Sequence, residues 1–203
     1  MGALPSFLGY RRVWAPTPFN GALCLSPNEV VVHGRPTGRL RDGDLLSIGC
    51  GAITDGWHGD SVVTVQIGDL LDDDPDDARL LQATELALAA GIAAAVPGAT
   101  LLDVAEPVHA VARAHGYANL PDHGGHGIGR AMHEAPSVPN EPTLDAARHR
   151  LGAGNTLALE PTLRAGTGRC WTRGTAGRLS PPTAGGRPTS STPWRSPTTG
   201  PRS

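Results

Sequence analysis

Gly125-His126-Gly127-Ile128-Gly129-Arg130-Ala131-Met132-His133-Glu134-Ala135-Pro136 is the stretch on which the reading of this sequence turns. Two histidines stand seven residues apart, and glycines flank the first. Glycine on both sides of an imidazole lets backbone approach a bound group closely. The segment is therefore a candidate metal site, and taken alone it is balanced against an ordinary glycine-rich loop.

Three shorter segments carry further candidate groups: Asn28-Glu29-Val30-Val31-Val32-His33-Gly34, Asp55-Gly56-Trp57-His58-Gly59-Asp60, and Leu159-Glu160-Pro161. Singly, each has a plain reading. His33 before a glycine is a turn residue, Asp60 a solvated strand residue, and Glu160 before a proline the end of a strand. His58, His109, His115, His123 and His149 read as surface or loop residues with no assigned role.

The surroundings are those of a folded domain. The chain has 203 residues, 39% apolar and 18% charged, which suits one globular domain with its own core. No apolar run reaches the roughly 18 residues of a membrane span, and Met1 to Tyr10 lacks the basic and apolar segments of a signal peptide. Cys24, Cys50 and Cys170 form no CxxC pair and leave an odd count, which favours a reducing cytoplasm over a disulfide scaffold. All 19 acidic residues lie at or before Glu160, whereas seven arginines and no acid follow it. Every basic residue is arginine, none lysine, which points to a GC-rich gene.

Local patterns give the elements. Leu45–Ile53 and Ser61–Ile67 read as strands joined by a turn at Asp55-Gly56, a β-hairpin. Asp76–Val96 reads as a helix ending at Pro97-Gly98, with Leu81, Leu88, Ile92 and Ala95 on one face. Thr100 with Asp103 three residues on resembles a capping box that opens a second helix. Val104, Val108 and Val111 give that helix an apolar stripe, and Pro107 inside it should cost up to about 3 kcal/mol or kink it. Leu157–Glu160 reads as a short strand. Beyond Gly166 the chain is Thr, Pro, Gly, Arg and Ser with almost no apolar periodicity, the composition of disorder.

In this order, the four segments resemble the pita-bread metallopeptidases, and among them most closely the type I methionine aminopeptidases. The resemblance covers about Pro5 to Gly166, and the segments at 28–34 and 55–60 separate it from proline-specific relatives. It implies an α+β fold, a curved antiparallel sheet with helices on its outer face, here incomplete at both ends. The implied organisation is a partial domain over residues 1–166 and a non-native tail over 167–203, without the helical segment that precedes the match in the family. The implied activity is removal of the initiator methionine from nascent polypeptides by a cytoplasmic monomer working at the ribosome, with no nucleic acid or membrane partner.

Roles follow position by position from the resemblance. Asp60, His126 and Glu160 correspond to metal ligands, Asp60 bridging two ions and Glu160 serving also as general base. His33 and His133 correspond to the non-ligand histidines that contact substrate and stabilise the transition state. Tyr10 and Cys24 align with the methionine pocket, in a register loosened by the insertion Arg11–Asn20. The implied cofactor is a divalent ion, Co, Mn, Fe or Zn, bound in pairs in the family.

Two departures matter. Gly49, in Ile48-Gly49-Cys50, stands where the family carries an aspartate ligand, and no glutamate follows Glu160 to serve as the last ligand. At most one ion is therefore expected, with impaired activity. The alternatives are a non-catalytic peptide-binding protein and a non-functional gene fragment. The tail suggests an origin. In a shifted register, codons for Pro188 to Arg195 permit His-Val-Glu-His-Thr-Val-Ala, the family's C-terminal strand with its glutamate. The same shift across Gly174 to Arg178 permits Asp-Gly-Trp-Thr, another family segment. A reading-frame slip between about Gly166 and Thr172 is the expectation.

Overall fold

The computed structural model describes residues 2–11, 17–35, 38–68, 75–165, 171–173 and 178–180. Its elements run β1 (Leu4–Pro5), β2 (Leu23–Pro27), β3 (Leu45–Thr54), β4 (Trp57–Gln66), α1 (Pro75–Ala94), α2 (Leu101–Ala114), β5 (Ala118–Asn119), β6 (Gly124–Gly127), β7 (Glu134–Pro139), a 3-10 turn (Ala146–Arg148), β8 (Leu157–Ala158), β9 (Leu163–Arg164), β10 (Trp171–Arg173) and β11 (Arg178–Ser180).

The hairpin expected around Asp55-Gly56 is the backbone of the first sheet. β3 and β4 pair antiparallel from Leu45↔Gln66 to Thr54↔Trp57. Asp55 and Gly56 have φ of 53° and 77°, the two positive values that a type I′ turn needs and that an Asp-Gly pair supplies. β2 and β1 both pair antiparallel with β3, on its other edge. The second sheet is β7-β6-β8, with β6 in the middle. That central place requires glycine. A Cβ at Gly125 would run into the Ala158 carbonyl, so β6 can lie against β8 only without a side chain there.

The helices cover this sheet. Leu80, Ala83 and Ala87 of α1 pack with Val108 and Ala112 of α2 and with Leu163 of β9. A second cluster joins Leu88, Leu101 and Val104 to Val138 of β7, Ala158 of β8 and Leu159, with Val62 of β4 packed against it. Full burial of a side chain such as Leu80 or Leu101 stabilises by about 1.5–3 kcal/mol. The start of α2 forms as expected: Thr100 Oγ1 accepts from the Asp103 amide, and the Asp103 carboxylate accepts from the Thr100 amide. The helix runs through Pro107 without a break.

Four expectations are corrected. The buried face of α1 is Asp77, Leu80, Ala83, Thr84, Ala87, Leu88 and Gly91; of the expected face, Leu88, Ile92 and Ala95 join one core cluster, while Leu81 is half-buried outside it and close packing on α2 adds the small residues Ala83, Ala87 and Gly91. The strand expected over 157–160 stops at Ala158, because Pro161 has no N–H and the Glu160 carbonyl bonds to a side chain instead. His58 and His109 stand in β4 and α2 rather than in loops. Asp60 is buried, not solvated.

Beyond residue 165 only β10 and β11 are described, paired antiparallel. The rest of the expected tail, with the segment Pro188 to Arg195, lies outside the described residues, as do positions 12–16 of the insertion. Among the described residues, no helix is long and apolar enough to cross a membrane.

Candidate metal site and its surroundings

Asp60, His126 and Glu160 come from β4, β6 and the turn after β8, and each offers a ligand atom within 4.8 Å of the others. Each is placed by a different local cause. The β3–β4 register sets Asp60 opposite Gly51. The β6–β8 register sets His126 opposite Ala158, two residues before Glu160. The loop between β6 and β7 then folds back over the site.

His126 is oriented for ligation. Its Nδ1 is 2.8 Å from the Gly127 carbonyl, so Nδ1 carries the proton and donates, leaving the Nε2 lone pair facing the carboxylates. Nε2 lies 3.2 Å from Glu160 Oε1 and 3.9 Å from Asp60 Oδ2. With Nδ1 as the donor, Nε2 has no proton to give to either carboxylate and is a buried nitrogen without a hydrogen-bond partner. Asp60 Oδ1 is likewise buried without one. Two orphaned polar atoms on neighbouring members of one buried cluster are costly unless something satisfies them. A cation with one nitrogen and two carboxylate ligands fits this cradle.

The electrostatics agree with that reading. Burial first, and the charge of Glu160 second, push the Asp60 carboxyl up to about 7, against lowering by His126 and the Ser61 amide. Burial pulls the His126 imidazole down, but the Glu160 carboxylate, the Gly127 carbonyl and Asp60 together raise it above its ordinary value. Burial and the charge of Asp60 push the Cys24 thiol up to about 12. Two carboxylates crowded in a dry place favour protonation unless positive charge joins them.

The other predicted residues fall around this cluster in part. The His133 ring lies 4.2 Å from that of His126, centroid to centroid, and 5.2 Å from Tyr10, on which it stacks. Tyr10 Oη and His133 Nδ1 are 2.8 Å apart. Cys24 is buried on β2, opposite Gly49 of β3. Gly49 in turn faces Val62, and Asp60 lies two residues along β4 from Val62. Position 49 therefore opens on the same side of the hairpin as Asp60. His33 is half-buried on the loop after β2, with φ of 55°.

Sequence reasoning missed the residues that hold the site together. Asn140 donates from Nδ2 to the Glu160 carbonyl at 2.7 Å and lies 3.3 Å from the His123 carbonyl. Arg130 donates to the Asp55 carbonyl at 2.8 Å and covers the Trp57 ring at 4.0 Å, while the His58 amide donates to the Gly129 carbonyl at 2.8 Å. These contacts clasp the hairpin carrying Asp60 to the loop carrying His133. A Pro-Asn pair and an arginine after glycine look like turn residues, and no local pattern marks them otherwise.

The chain belongs to metallopeptidase family M24, whose model matches residues 8–180. Its relatives are methionine aminopeptidases. That of Mycobacterium tuberculosis is 44% identical over 174 residues, covering 82% of this chain and 62% of the relative. That of Aquifex aeolicus is 40% identical over 169 residues, covering 82% and 64%. The crystal structure of the Thermotoga maritima methionine aminopeptidase superposes with a TM-score of 0.81 at 31% identity, covering 93% of this chain and 72% of that one. The pita-bread fold is thereby shown. The chain spans less than two thirds of the length of the two sequence relatives.

Proposed function

We propose that this chain carries the site of a methionine aminopeptidase reduced to one cation, held by Asp60, His126 and Glu160. The convergence of their ligand atoms within 4.8 Å, from three segments distant in sequence, is the observation that supports it. One nitrogen among carboxylate oxygens suits Mn, Fe, Co or Zn. A bound divalent ion would lower the pKa of a water and polarise the scissile carbonyl.

The chain's own groups then divide the work. A Glu160 oxygen takes the proton of the attacking water as general base. His133, whose Nδ1 is engaged by Tyr10, is the histidine that meets the substrate carbonyl oxygen, and His33 is the second histidine for that task. Tyr10 and Cys24 line the place for the methionine side chain. The substrate is the N-terminal methionine of a new polypeptide, met at the ribosome by a cytoplasmic monomer.

A two-ion site of the family sets four carboxylates against two divalent ions. In this sequence Gly49 supplies no oxygen and residues 161–203 hold no glutamate. A second ion would have Asp60 alone, and one ligand does not hold a cation against water. Hydrolysis is accordingly slow. A second reading, a peptide-binding protein without catalysis, draws on the Tyr10–His133 pair, which needs no metal.

Hydrolysis of a Met-Ala-Ser peptide, assayed with Mn or Co and with chelator, tests the proposal. The expected result is slow methionine release that needs metal and is lost in His126→Ala. No release with any metal, together with peptide binding in chelator, would replace it with the second reading.

A further inference from the structure

Glu160 lies outside every strand, between β8 and β9, and is followed by proline. No ladder fixes its backbone. Its carbonyl is taken by Asn140 Nδ2 at 2.7 Å, with Thr162 Oγ1 more distant at 3.4 Å. Asn140 is 5% exposed, so this part-buried bond is donated from a buried side chain.

The same Nδ2 also reaches the His123 carbonyl at 3.3 Å. His123 immediately precedes β6, the strand that carries His126. An amide nitrogen has two hydrogens, and here each points to a segment bearing one member of the cluster. Asn140 is itself held: its backbone carbonyl accepts from Asn119 Nδ2 at 2.9 Å, and Asn119 is 1% exposed. Asn119 sits on β5, opposite Leu163 of β9, beyond Glu160.

We infer that Asn140 is a positioning residue that sets the separation of Glu160 from His126, with Asn119 behind it as its support. The inference rests on the proposed metal-site reading. Asn140 touches neither ligand side chain. It acts by holding the two backbones at the spacing at which Glu160 Oε1 and His126 Nε2 meet one ion. Such outer partners typically change metal affinity by about 10–100-fold when removed.

The test is a Co²⁺ titration of the full chain, followed by visible absorption, for the parent, Asn140→Asp, Asn140→Ser and Ala89→Gly. Aspartate keeps the shape but cannot donate. Serine is too short to bridge both carbonyls. Ala89→Gly, on the exposed face of α1, weakens a helix away from the site and controls for lost stability. The expected result is one Co²⁺ in the parent, affinity about 10–100-fold lower in both Asn140 variants with an altered absorption band, and parent affinity in Ala89→Gly. Parent affinity and parent spectrum in a folded Asn140 variant would overturn the inference and leave the metal site standing. An equal loss in Ala89→Gly would overturn it too, since affinity would then follow stability alone. No Co²⁺ binding by the parent would overturn the metal-site reading and this inference with it.

Discussion

Gly49 of β3 faces Cys24 of β2, and a Cβ built at Gly49 would lie 3.3 Å from the Cys24 Cβ and 3.8 Å from both Phe7 and Val62. Only the first of these is tight, by a few tenths of an ångström. A Cβ at position 49 therefore needs only a small shift of Cys24, and by the strand alternation it projects on the side of Asp60.

Gly49→Asp should fold and bind metal more tightly. Without metal, a third carboxylate beside Asp60 and Glu160 adds buried negative charge and lowers stability. With metal, the same group becomes a ligand. The rise in Tm on adding Co²⁺ should thus be larger in Gly49→Asp than in the parent, by several degrees, at about 2–4 °C per kcal/mol for a domain of this size. Differential scanning fluorimetry with and without Co²⁺ measures it. An equal rise in both proteins would show that position 49 does not face the ion.

The metal-free protein should lose stability as pH rises. Asp60 has a folded pKa of about 7 against an ordinary 3.8, so between those values the folded state holds a proton that the unfolded state has released. Its contribution is full below about pH 4 and is lost by about pH 7. His126, raised above 6.5, acts in the same direction: its contribution is present below 6.5 and lost as pH rises through its folded pKa. Urea unfolding in chelator should give a lower midpoint at about pH 8 than at about pH 5, and Asp60→Asn should flatten the difference. Metal binding displaces these protons, so affinity should climb with pH up to about 7.

Tyr10→Phe keeps the ring that stacks on His133 and removes the hydroxyl 2.8 Å from its Nδ1. The loss of one neutral hydrogen bond corresponds to about a 3–10-fold change. It should appear in kcat/KM for a Met-Ala-Ser peptide, with Co²⁺ affinity unchanged. A matching fall in metal affinity would mean that Tyr10 acts through His126 instead.

The gene should carry an inserted or deleted base between the codons for about Gly166 and Thr172. DNA sequencing against close relatives decides it. A frame continuous with theirs through that stretch would remove the explanation offered for the absent glutamate.

Much of this was legible where local chemistry sets the structure. Asp55-Gly56 demands a tight hairpin turn, and Thr100 with Asp103 marks a helix start, whatever surrounds them. The grouping of Asp60, His126 and Glu160 was expected from resemblance, not from spacing, since nothing in 60, 126 and 160 says that two strands and the turn after β8 meet. The face of α1 was legible at Leu88, Ile92 and Ala95, which join one core cluster, but not at Ala83, Ala87 and Gly91, which the closeness of α2 selects, a tertiary effect that hydrophobicity does not encode. The Tyr10–His133 and Asn140–Glu160 bonds join residues distant in sequence or embedded in turn-like dipeptides, and they became visible only with the register of the strands.

Isothermal titration of the metal-free chain with Mn²⁺ or Co²⁺ tests the central claim most directly. One weakly held ion per chain, absent in His126→Ala, is the predicted result. Two tightly held ions, or one that survives His126→Ala, would contradict it.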